Sequence, residues 1–175
     1  MKSVLCFFFI LFVIQTHAQF GGRGMRNQIP QTQNTPKAPE FEVERYVGII
    51  YYNTGKAAKK SGIDLFSKKG KQFVSLLKTY NRDTDQIKRI NSFTLRSTKE
   101  MVENFQKNAL KTGDLSNQKK VQKAMVDNLK PIAEAIKAED KKLDDKIVAL
   151  LSEKQYKKWI KHNKKNHKLV PKRKE

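Results

Sequence analysis

Two stretches of this chain, residues 65–110 and 117–150, place apolar side chains at recurring spacings of three and four. In the first, Phe73, Leu76, Leu77, Tyr80, Ile87, Ile90, Met101, Val102 and Phe105 follow that interval. In the second, Val121, Met125, Leu129, Ile132, Ile136, Leu143, Ile147 and Leu150 do so. This is the period an α-helix needs to gather its apolar residues on one face. Thr112-Gly113-Asp114 separates the stretches, and Gly113 suits the left-handed conformation that closes a helix. Two amphipathic rods joined by a short turn bury their stripes most directly against each other, as antiparallel neighbours. The expected fold class is therefore all-α: two long antiparallel helices with short flanking helices, in an open arrangement.

Local features qualify this plan. Gly70 is a weak point near the start of the first rod, and Asn91-Ser92-Phe93-Thr94 has poor helix propensity and is expected to bend it. Pro131 removes a backbone donor in the middle of the second rod, so a kink or a break is expected there. Thr84, Thr94 and Thr98 lie in or near the seam and are small enough for a helix crossing. Upstream, residues 41–52 read as a first short helix that is apolar on more than one side. Its Phe41, Tyr46, Ile50, Tyr51 and Tyr52 are the candidate apolar surface for contact with a partner. Residues 56–61 read as a short basic helix ended by Gly62. Gly55 to Gly62 has no second glycine directly before Lys60-Ser61 and no preceding strand, so it does not form a phosphate-binding loop.

The first residues read as a targeting segment. A basic start, an unbroken apolar run from Val4 to Ile14, and Thr16-His17-Ala18 make the three-part pattern of a cleavable secretory signal over residues 1–18. The run is shorter than the ~20 apolar residues a membrane span needs. Residues 19–39 combine glycine, glutamine, asparagine and three prolines, and read as a disordered linker. Residues 40–170 then form a single helical domain, and 171–175 a disordered basic tail. The one cysteine, Cys6, falls within the signal, so the mature chain has no thiol for disulfides and depends on burial for stability.

The formal net charge is +20. A balance this basic is a common footprint of nucleic-acid binding. Secretion argues against that partner, and none is expected. Anionic lipid, an acidic envelope polymer, and acidic or unfolded protein remain. Residues 152–175 concentrate the charge, with ten lysines and arginines against Glu153 and Glu175. Lys161, Lys164, Lys165, Lys168, Lys172, Arg173 and Lys174 are the candidate contacts to an anionic surface.

One corner carries a motif. Ser152 can cap a helix, Gln155 three residues on can reach back to it, and Leu151 with Tyr156 can form a hydrophobic staple. The only tryptophan, Trp159, falls one turn beyond. Leu151-Ser152-Glu153-Lys154-Gln155 resembles the L-T-x-x-Q motif of the Spy/CpxP-like periplasmic proteins, with serine keeping the capping hydroxyl of threonine. The overall pattern over residues 41–160 is similar as well. Residues 63–67, where that family often has a second copy, hold no clean one. The resemblance implies a periplasmic, open, all-helical fold. It also implies an ATP-independent chaperone or envelope-stress accessory protein that binds unfolded or partly folded chains. A second copy of the chain is an admissible partner. The alternative is a basic envelope protein docking on anionic membrane or polymer through residues 152–175. An inhibitor or sensor partner is a third reading.

No catalytic constellation is present in the sequence. His162 and His167 are five residues apart and point ~140° away from one another on a helix, which is not a metal-ligand pair. Asp144 and Asp145 are adjacent and diverge, so they are not a paired acid and base. No enzyme activity, cofactor or metal is expected.

Overall fold

The computed structural model describes residues 38–166 of the chain. They form six helices with no strand among the described residues, so the chain is all-α. The elements are α1 (Val43–Tyr46), α2 (Thr54–Ser61), α3 (Lys68–Ile90), α4 (Ser92–Thr112), α5 (Gln118–Leu150) and α6 (Glu153–Asn166). The signal segment, the basic tail and all but the end of the linker lie outside the described residues.

The short α1 departs from the helix expected over residues 41–52. It is a single turn, because Gly48 takes φ +85°, a left-handed conformation that ends the helix and that glycine adopts without strain. Residues 49–52 continue without helix. The next helix, α2, begins where Asn53 Oδ1 accepts from the Lys56 N–H at 2.9 Å. It ends at Gly62, whose φ of +69° lets Ile63 N–H reach back to the Ala58 carbonyl at 3.0 Å.

The first long rod is divided in two. Asn91 stands between α3 and α4, and its Nδ2 donates to the Ile87 carbonyl at 2.8 Å, closing the end of α3. The second rod is continuous. Its α5 continues through Pro131, so of the kink or break expected there the break does not occur. Pro131 is exposed, and Leu129 and Ile132 on either side of it are buried and keep that segment anchored.

Both halves of the first rod lie against α5 in antiparallel register, α3 on its C-terminal part and α4 on its N-terminal part. Tyr80 Oη donates to Asp140 Oδ1 at 2.7 Å, and Asn128 Nδ2 donates to Thr98 Oγ1 at 3.1 Å, so positions rising along one rod meet positions falling along the other. Thr84 and Thr98 are fully buried in this seam, as their spacing suggests.

The core has two parts, both built on α5. Near its N-terminal half, Leu129, Ile132 and Ile136 pack with Leu95 and with Val43, Val47 and Ile49. Near its C-terminal half, Leu143 and Ile147 pack with Phe73, Leu77 and Tyr80, with Ala57 and Ala58 of α2, and with Leu151 and Trp159. Trp159 takes the edge of Phe73 at 5.5 Å between centroids and lies tilted on Tyr52 at 5.2 Å. Aromatic pairs of this kind add ~0.5–1.5 kcal/mol each beyond the area they bury.

Gly70, which reads from sequence as a weak point, is a close approach instead. A Cβ there would meet the Asp64 carbonyl oxygen at 1.9 Å, so only glycine lets α3 start this close to the loop before it.

Candidate functional site

The corner before α6 is built as a reciprocal cap. Gln155 N–H donates to Ser152 Oγ at 3.4 Å, and Ser152 N–H donates to Gln155 Oε1 at 3.3 Å. These bonds are long and exposed, and they occupy two of the donors a helix start leaves unpaired. Leu151 is buried, and Tyr156 packs on the same core. The amide of Gln155 also donates from Nε2 to the Gly62 carbonyl at 3.2 Å, tying the start of α6 to the end of α2.

Beneath this corner, tyrosines and carboxylates meet. Tyr80 Oη donates to Asp140, Tyr156 Oη donates to Asp144 at 3.0 Å, and Tyr52 Oη donates to Asn163 Oδ1 at 2.7 Å. Asp140 and Asp144 are one turn apart on α5. Burial raises the Asp140 carboxyl above its ordinary value; Asp144 pushes the same way, and the Tyr80 hydroxyl opposes both. Burial raises the Tyr80 phenol far above its usual range, with Asp140 adding to the shift, and burial does the same to Tyr52. Such groups hold three helices and the segment before α2 in one arrangement. Burial keeps the Tyr52 and Tyr80 phenols protonated at neutral pH.

The candidate apolar surface is divided by the fold. Tyr52 is 5% exposed and belongs to the core, which removes it from any contact surface. Its amide and carbonyl are both held by Asn81, at 2.9 Å each, so the segment enters the helices rather than lying over them. Phe41, Tyr46 and Ile50 are half-buried. Tyr51 is 45% exposed, and its hydroxyl donates to Asp85 at 3.4 Å.

Other apolar side chains are open to solvent. Ile90 is 73% exposed and Phe93 72% exposed, flanking the break at Asn91. Ile90 was read as part of the seam, and its place outside it is a correction. At 100° per residue it falls ~100° from Phe73 around the helix, so a strict count along α3 shows the difference. Phe66, between α2 and α3, is 87% exposed. The sequence places it inside the first rod; α3 starts only at Lys68, which leaves Phe66 in the connection.

Of the candidate anionic-surface contacts, Lys161 and Lys164 are exposed on α6. Lys168, Lys172, Arg173 and Lys174 lie outside the described residues, as does the side chain of Lys165. In the same helix Lys157 pairs with Glu153 at 2.5 Å. Among the described residues no group of three or more histidine, cysteine or acidic side chains could hold a metal. No helix among them is long and apolar enough to cross a membrane.

No family model, no curated protein and no solved structure matches this chain.

Proposed function

We propose that this chain is a periplasmic, ATP-independent chaperone or envelope-stress accessory protein that holds non-native polypeptides. The observation that carries the reading is the Ile90–Phe93 pair. Two large apolar side chains stand in solvent three residues apart, on a framework whose own core is already filled. Solvent-facing apolar groups within a polar, charged surface mark places where another chain can rest. Arg89 and Arg96 flank the pair and are exposed, which suits acidic segments of a client. The likeness of residues 151–155 to the Spy/CpxP-like motif, and the secretory pattern of residues 1–18, support the same reading.

The test is light scattering of a denatured acidic client with and without the full mature chain. Protection is expected at low salt and should weaken as the screening length falls from ~10 Å at 0.1 M to ~3 Å at 1 M. Absence of protection at low salt would remove the chaperone reading.

A further inference from the structure

The connection between α2 and α3 carries an exposed apolar tip, with lysines on the helix ends that flank it. Phe66 is almost fully exposed and Leu65 is exposed beside it. The tip is held in place. Phe66 N–H donates to Asp64 Oδ1 at 3.0 Å, Ser67 Oγ donates to the Asp64 carbonyl at 2.7 Å, and Gly70 N–H donates to Ser67 Oγ at 3.0 Å. Gln155 holds the Gly62 end, and the contact of Gly70 with Asp64 holds the other. Lys59 and Lys60 close α2, while Lys68, Lys69 and Lys71 open α3. Lys158 of α6 lays its side chain against Gly62, its Nζ 3.0 Å from where a Cβ would stand. All six lysines are exposed, and no acidic side chain among the described residues pairs with any of them. The acid in the connection itself is Asp64, whose carboxylate is engaged by the Phe66 N–H.

We propose that this tip docks the protein on an anionic lipid bilayer. Phe66 and Leu65 enter the boundary between headgroups and acyl chains, and the six lysines lie on the phosphates around them. A bilayer surface offers negative charge and, a few ångströms deeper, an apolar phase, and the tip presents the two matching chemistries in that order. A soluble acidic polymer would engage the lysines and leave Phe66 in water. The long lysine stems can lie along the apolar boundary while their ammonium groups stay at headgroup level. The tip and the Ile90–Phe93 pair stand at opposite ends of α3, ~33 Å apart along the helix at 1.5 Å per residue. This surface differs from the C-terminal lysines and does not depend on the chaperone reading.

The experiment is co-sedimentation of the full mature chain with phosphatidylcholine vesicles, with and without phosphatidylglycerol. The wild type should sediment with the anionic vesicles alone. Phe66→Ser should weaken partitioning about tenfold, the scale expected for losing one buried apolar side chain. Lys68→Glu with Lys69→Glu should abolish partitioning at moderate salt. Circular dichroism would verify that each variant keeps its helices. Phe66→Trp should restore binding, with an emission shift to the blue on anionic vesicles that the buried Trp159 of the wild type does not give. Wild-type partitioning by Phe66→Ser would overturn the proposal by placing the binding in the basic tail. Equal capture by neutral vesicles would overturn the role of charge, and failure of the wild type to bind anionic vesicles at low salt would overturn it entirely.

Discussion

Gln155 Nε2 donates to the Gly62 carbonyl at 3.2 Å, so one side chain both completes the cap of α6 and closes the end of α2. Gly62 and Gln155 are 93 residues apart in sequence, and the two helices meet at this amide. Ser152→Ala removes only the capping hydroxyl and should cost ~0.5–1 kcal/mol, the lower part of the usual range because the bond is long and exposed. Gln155→Ala removes both the cap and the tie and should cost more. Thermal melts of the two variants give the order. A Ser152→Ala loss larger than that of Gln155→Ala would show that the tie contributes nothing.

Gly70→Ala tests the close approach of α3 to its preceding loop. In an ordinary helix the change would be favourable by ~1 kcal/mol. Here the added methyl meets backbone, which cannot swing aside as a side chain tip would. Destabilisation by ~3 kcal/mol is expected, the upper end of the usual cost of overpacking. Denaturant unfolding measures it, and a stabilised variant would mean that the loop moves freely.

The phenols of Tyr52 and Tyr80 give the fold an alkaline limit. In the unfolded chain they ionise at their ordinary pKa of ~10, while in the fold burial raises both well above that. Above pH ~10 the unfolded chain therefore binds fewer protons than the fold, and stability falls as pH rises. Tyr80→Phe should lose ~1 kcal/mol at pH 7 through its bond to Asp140, and should show a shallower decline above pH 10. Parallel melting curves for wild type and Tyr80→Phe across that range would contradict the assignment.

Asp140 behaves in the opposite sense to a paired surface acid. Its raised pKa means that the fold favours the protonated form. Stability is therefore lost as pH rises from the unfolded value of ~3.9 through the folded one. Asp140→Asn keeps an acceptor for the Tyr80 hydroxyl and removes the buried charge. It should melt at or above the wild-type temperature at pH 7 and lose that advantage in acid. A clear loss of stability at pH 7 would show that the charge itself supports the fold.

Ile90→Ser with Phe93→Ser should leave the melting temperature nearly unchanged, within ~0.5 kcal/mol, because both side chains are already in water. Protection of a denatured client should fall markedly. Retained protection would place the client site elsewhere on the molecule.

The helical period along residues 65–110 and 117–150 was enough to read the rods, the turn at Gly113 and the threonines in the seam, because burial along a helix follows directly from spacing. The cap at Ser152 was legible for the same local reason. What escaped depended on contacts between distant segments. Gly48 looks like any glycine until its φ of +85° ends α1 after one turn. Gly70 looks like a weakness until the Asp64 carbonyl is seen beside it. Tyr52 lies in a run apolar on several sides, and only the positions of Tyr80, Trp159 and Asn163 show that it points inward. Pro131 reads as a kink or a break, and sequence does not reveal that buried residues on either side of it carry the helix through. The junction of Tyr80, Tyr156, Asp140 and Asp144 joins three helices, and no single stretch announces it.

Because α5 carries both parts of the core, it fixes their relative phase. Each residue advances the helix by ~100° and ~1.5 Å. One residue inserted between Ile136 and Leu143 would swing Leu143 and Ile147 away from Phe73 and Leu77, or else swing Ile132 and Ile136 away from Val43 and Val47. A seven-residue insertion restores the phase to within ~20° but still slides one set of partners past the other by two turns. An insertion at the exposed connection of residues 113–117 leaves both sets of partners in phase, whereas the interval from Ile136 to Leu143 acts as a gauge between them.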